Sequence, residues 1–190
     1  DFAPGRGAAG GGGFVDAAYV LPVTVATHVA LQPLLAPLAQ RRLRSLALVT
    51  ALGGLTGAAG IFASARAPSL RAFLPLYAGL PGLGLCLGYT APQAAAWSWF
   101  PERRALVSGL LLGAFGAGAL VFNLVGTALA NPANLRASAA TGEFPAEVYA
   151  AFPRMLRGVG ALYALLVALG ASLIRRNDGQ LPAPARRPAA

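Results

Sequence analysis

Five stretches of this 190-residue chain contain no charged side chain, each 17 to 31 residues long, with short arginine-bearing segments between them. They run Ala17–Gln40, Ser45–Ala65, Ala72–Pro101, Ala105–Leu135 and Gly158–Ile174. A helix rises about 1.5 Å per residue, so about 20 apolar residues cross a hydrocarbon core about 30 Å thick. A soluble domain of this length cannot cover five such runs. The pattern specifies an all-α membrane protein of five transmembrane helices in up-down order, embedded in a lipid bilayer and without β-sheet. Its spans are expected at about 17–39, 45–64, 72–99, 105–130 and 158–174. Residues 17–174 then form one membrane domain, between an extracellular loop at 1–16 and a cytoplasmic linker at 175–190.

Charge placement narrows the class further. Charged residues make up 11% of the chain, against about a quarter in an ordinary soluble domain. The net charge of +9 comes from fifteen arginines and no lysine. A nucleic-acid-binding protein carries its basic residues as a stripe on a soluble face. Here they stand at span ends, as Arg41, Arg42, Arg44, Arg103, Arg104, Arg175 and Arg176 do. That placement excludes a nucleic-acid partner and follows membrane topology instead.

Five spans put the two ends of the chain on opposite sides. One side receives nine arginines, including the clusters at 41–44, 103–104 and 175–176, and the other receives Arg6, Arg66, Arg71, Arg136, Arg154 and Arg157. Positive charge hard against span ends marks the cytoplasmic side. The 40–44 loop, the 101–104 loop and the C-terminal tail are therefore expected inside, and the opening loop and the 131–157 loop outside. A short amphipathic helix is expected near Ala146–Ala151. The opening, glycine-rich from Gly5 to Gly13 and without an initiating methionine, lacks a signal-peptide pattern. The sequence is expected to be truncated at the front.

Glycine is dense inside the spans, at Gly53, Gly54, Gly57 and Gly60, at Gly82, Gly84 and Gly88, and at Gly109, Gly113, Gly116 and Gly118. Small residues let helix backbones approach, because van der Waals packing replaces the hydrophobic drive inside lipid. The stripes Gly82–Gly88 and Gly109–Gly116 are both expected to pack helix on helix. The single cysteine, Cys86, has no partner for an intrachain disulfide and reads as a small packing residue.

A few polar side chains stand inside the spans. Thr24, His28 and Gln32 follow one another at four-residue spacing and so share a helix face. An ionisable residue at membrane depth points to a proton relay or a substrate contact; the plainer alternative is a neutral imidazole bonded to a neighbouring helix. Tyr89, Gln93 and Trp97 form a second such stripe, as lining of a solute pathway or as interfacial belt residues. Trp99 reads as a belt residue. Asn123 lies beyond Gly116 on the fourth span, where a cavity contact competes with an interhelical hydrogen bond. His28, Gln32, Tyr89, Gln93, Trp97 and Asn123 are the substrate-pathway candidates, with their polar faces expected toward the bundle interior.

Catalysis finds no support. Ser108 has no base beside it, since His28 sits in another span without an orienting carboxylate. The acids Asp1, Asp16, Glu102, Glu143, Glu147 and Asp178 all fall in loops or at span ends. No metal-ligand cluster stands in the sequence, and no cofactor is expected.

Three motifs in order carry a resemblance: Gly82-Leu-Gly-Leu-Cys-Leu-Gly-Tyr89, then Trp99-Phe-Pro-Glu-Arg-Arg104, then Ser108-Gly109 with the glycines to Gly118. With Asn131-Pro132, Phe144-Pro145-Ala-Glu147-Val148, Phe152-Pro153-Arg154-Met155 and Tyr163, this resembles the oxalate/formate antiporter and monocarboxylate-transporter-like branch of the major facilitator superfamily. The match is close over about residues 80–165. One departure stands out: the superfamily's second-to-third-span loop carries a Gly and an Asp before its basic residues, whereas Leu38-Ala-Gln-Arg-Arg-Leu-Arg44 keeps only the basic part. The resemblance implies an incomplete N-terminal half of that fold, the second to sixth of twelve spans. It implies transport of a small organic anion by alternating access, with a missing C-terminal half that supplies the cationic groups. The competing reading is a structural or assembly membrane protein without a transport cycle, since a bundle held by small residues has the same composition.

Overall fold

Hydroxyl side chains set helix starts and are themselves satisfied inside the helices. In the computed structural model, residues 18–42, 45–138 and 141–175 are described. Ser45 caps the second helix, its oxygen accepting from the Leu48 amide at 3.3 Å, and Ser69 caps the third span through the Ala72 amide at 3.4 Å. Farther in, Thr24, Thr50 and Thr56 donate to the carbonyls of Val20, Leu46 and Leu52 at 2.9, 2.9 and 2.7 Å. A hydroxyl bonded one turn back on its own helix leaves no donor facing hydrocarbon.

The helices are α1 (Val20–Arg42), α2 (Leu46–Ser64), α3 (Leu70–Leu74), α4 (Leu80–Gly88), α5 (Thr90–Trp99), α6 (Arg104–Ala130) and α7 (Ala146–Leu173). A π-helical turn at Pro75–Gly79 joins α3 to α4, with the Leu80 amide bonded five residues back to the Pro75 carbonyl. Between α4 and α5 the backbone stays helical at Tyr89, φ −67° and ψ −43°. The interruption there follows from Pro92, which has no N–H for the Gly88 carbonyl. Segments α3 to α5 therefore make one long span, Leu70–Trp99, and the described residues hold five helices long and apolar enough to cross a membrane. No strand occurs among the described residues. The chain is an all-α membrane protein.

The tightest crossing is between α2 and α4, where glycines face glycines. A Cβ added at Gly53 would lie 2.5 Å from the Gly88 nitrogen and 2.6 Å from the Gly84 oxygen, and one at Gly60 would lie 2.5 Å from the Leu76 oxygen. Only glycine permits that approach of two backbones. On its other side α4 meets α1, where a Cβ at Gly82 would lie 2.8 Å from the Thr24 oxygen. Cys86 fills this seam, fully buried, with its thiol 3.3 Å from the His28 carbonyl and 3.2 Å from that of Gly82. Helix α7 packs on α2 through Tyr163, 3.3 Å from a Cβ at Gly57, and through Gly160 against Ile61 and Phe62. Val49, Cys86 and Leu156 are the largest fully buried side chains.

The structure corrects two expectations. The residues near Ala146–Ala151 are not a separate short helix but the first turns of α7, which runs unbroken to Leu173. The helix is thus longer than the charge-free span 158–174 inside it. Arg154 and Arg157, which limit that span, sit on exposed positions of the helix, where a long side chain carries its charge to the interface. The second correction concerns α6. A Cβ at Gly109, Gly113, Gly116 or Gly118 would meet nothing within 4 Å, and no residue of α6 is buried. This stripe packs on no described helix. Instead α6 touches α7 near its far end, with Leu129 2.9 Å from a Cβ at Gly158.

Up-down order brings the ends of α5 and α7 to one side. There the indole N–H of Trp99 donates to the Arg175 carbonyl at 2.8 Å, so Trp99 makes a specific contact beyond a belt position.

Candidate functional site

Glycine also hollows out the site. At Gly54, Gly84 and Gly88 the walls of α2 and α4 carry no side chain, and Pro92 interrupts the helix beside them. A cavity of about 320 Å³ results, lined by these residues and by side chains of α2, α5, α6 and α7. Its polar lining is Thr50, Tyr89, Gln93, Ser108 and Tyr163, and among the described residues no charged side chain borders it. Thr50 spends its proton on the Leu46 carbonyl. The remaining polar groups are neutral and can donate, which suits an acceptor-rich solute.

A tight turn at Pro101–Arg103 reverses the chain between α5 and α6 and lays the first turns of α6 beside α5. Gln93 and Trp97 lie one helical turn apart on the same face of α5, and both reach Ser108. Gln93 Nε2 donates to Ser108 Oγ at 3.3 Å, and Trp97 Nε1 donates to the same oxygen at 3.0 Å. These two bonds tie α5 to α6.

Tyr89 extends the cavity wall toward α1. Its ring meets His28 edge-on at 5.9 Å and 78°, and meets Phe115 of α6 edge-on at 6.4 Å and 84°. His28 Nδ1 is buried and has no hydrogen-bond partner among the described residues. An unpaired buried polar atom costs about 1–3 kcal/mol.

The structure thus brings Tyr89 and Gln93 into one cavity, joins Trp97 to it through Ser108, and reaches His28 through the Tyr89 ring. Gln32 is half-buried on α1 and does not line the cavity. Asn123 is exposed on α6 and, among the described residues, makes no hydrogen bond. Sequence reasoning passed over Thr50, Tyr163 and Ser108 as lining. For Ser108 a signal existed: Trp97 is a donor only, so a half-buried indole one turn from a glutamine calls for an acceptor nearby.

Comparison with curated proteins finds two relatives. The chain is 34% identical over 173 residues to apicoplast pyruvate carrier 1 of Toxoplasma gondii, an alignment covering 84% of this chain and 31% of the carrier. It is 37% identical over 82 residues to the uncharacterized MFS-type transporter YhjX of Escherichia coli (strain K12), covering 43% of this chain and 20% of that protein. The chain therefore spans about a third of the length of the first relative and a fifth of the second. No family model matches the sequence, and no solved structure matches it. With five apolar helices and these likenesses, the chain is a multi-pass membrane protein related in sequence to membrane solute carriers.

Proposed function

We propose that this chain is part of a solute transporter of the major facilitator superfamily that moves a small monocarboxylate such as pyruvate by alternating access. It acts as a carrier and not as an enzyme. The observation that carries the reading is the neutral, donor-rich cavity of about 320 Å³ built from Tyr89, Gln93, Ser108 and Tyr163. That volume stands at the small end of ligand pockets, about 300–1,000 Å³. The similarity to a pyruvate carrier over most of this chain supports the substrate class. The resemblance to the oxalate/formate branch supports oxalate or formate as competing substrates. Residues beyond this chain supply the second wall of the pathway and the cation that neutralises the solute. The test is uptake of radiolabelled pyruvate by liposomes carrying the full-length protein. Saturable uptake, competed by unlabelled monocarboxylates and not by neutral sugars, is expected. Uptake no faster than in empty liposomes, for pyruvate, formate and oxalate alike, would leave only the assembly-protein reading.

A further inference from the structure

The hydroxyl group of Ser108 differs from its neighbours in one respect. Ser64, Ser98 and Ser172 each donate to a carbonyl of their own helix, at 2.7, 2.6 and 2.7 Å, as Thr24, Thr50 and Thr56 also do. Ser108 donates to nothing among the described residues. It accepts twice, from Gln93 Nε2 at 3.3 Å and from Trp97 Nε1 at 3.0 Å. A serine oxygen has two acceptor lone pairs and one proton. The indole is a donor only, so its bond has no reverse form, and the Gln93 amide, assigned with its nitrogen toward Ser108, takes the second lone pair. With both lone pairs engaged, the unused group is the hydroxyl proton, on a residue that lines the cavity.

Two donors drawing on the Ser108 oxygen polarise its O–H and strengthen it as a donor in a low-dielectric setting. The complement of such a group is an anionic oxygen, since a hydrogen bond to a charged acceptor is about twice as strong as a neutral one. We propose that Ser108 Oγ–H binds a carboxylate oxygen of the transported anion, and that Gln93 and Trp97 are the positioning residues that aim it. This deepens the reading of the chain as part of a monocarboxylate transporter and rests on it.

The experiment uses the full-length protein in liposomes with radiolabelled pyruvate. Ser108→Ala raises the KM for uptake by roughly tenfold or more at an unchanged amount of reconstituted protein, while Ser108→Thr stays within about twofold. Trp97→Phe, which keeps the Ser108 hydroxyl but removes one of the two donors that aim and polarise it, raises KM less than Ser108→Ala. Where Ser108→Ala does not reconstitute, Ser108→Cys, close in size but a weak donor, carries the same comparison. An unchanged KM in the variant lacking the hydroxyl overturns the proposal. So does an equal rise in Ser108→Ala and Trp97→Phe with none added in the double variant, the mark of a bond that only ties α5 to α6. Failure of the transport reading itself is distinct: the unmodified protein then takes up no pyruvate.

Discussion

Gly53 of α2 and Gly84 of α4 face each other with no side chain between them. A Cβ on Gly84 would fall on the Gly53 carbonyl oxygen and lie 3.0 Å from the Gly57 nitrogen. A larger residue on either side has to push two backbones apart, and overpacking of this kind costs about 1–3 kcal/mol or more. Gly53→Leu is expected to remove most of the folded protein from a detergent extract, read as loss of the monodisperse peak in size-exclusion chromatography. Gly113→Leu, on the open face of α6, is expected to lower the thermal midpoint less than Gly53→Leu. The reverse ranking would mean that α2 and α4 do not cross at these glycines.

His28 offers a test of opposite sign. Its Nδ1 is buried and unpaired among the described residues, while its ring contributes an edge contact to Tyr89. His28→Phe keeps an aromatic ring and removes the unpaired atom, so the fold is expected to hold or gain about 1 kcal/mol. A thermal midpoint several degrees lower in His28→Phe would show that Nδ1 has a partner in the folded protein.

Tyr89 links α1 and α6 through its two edge-on ring contacts and is 38% exposed, so its truncation removes wall without removing core. Tyr89→Ala is expected to reach the membrane in normal amount and to lose uptake by about tenfold, since each aromatic pair contributes about 0.5–1.5 kcal/mol. Tyr89→Phe is expected to retain most of it. Full uptake by Tyr89→Ala would remove this residue from the pathway.

Orientation rests on arginine placement. With the opening loop outside and the tail inside, a cysteine placed at the exposed Thr141 should react with an impermeant maleimide added to whole cells. A cysteine at the exposed Glu102 should react only after permeabilisation. The buried Cys86 supplies little background. Labelling at Glu102 alone would invert the topology.

How far these features could be read beforehand depended on what each one requires. Span positions need only composition, so α2 and α6 begin within a residue of the expected 45 and 105. The start of α7 was hidden because a charge-free window stops at Arg157, although an arginine on an exposed helix face is no barrier to a helix. The glycine stripes show the deeper limit. Gly53-Gly57-Gly60 and Gly109-Gly113-Gly116 look alike as sequence, yet one lies against α4 and the other against no described residue. Spacing defines a face, and only the arrangement of neighbours decides what covers it. Tyr89 and Gln93 were legible as one stripe for the first reason, whereas their meeting with Ser108 and Tyr163 depended on the second.

That bare helix has a mechanical consequence. Helices α1, α2 and α4 meet backbone to backbone at their glycines, and α7 seats Tyr163 and Val167 against the glycines of α2, so the four form one closely packed block. Helix α6 is held to the block along one face by side chains alone: the Ser108 bonds near its start, the Phe115 and Phe122 rings on Tyr89 and Tyr163 along it, and Leu129 beside Gly158 near its end. A helix held on one face by a few side chains yields more easily than helices that meet glycine to glycine. The compliance of the described bundle is therefore concentrated in α6, whose Ser108, Leu111 and Phe115 form one wall of the cavity.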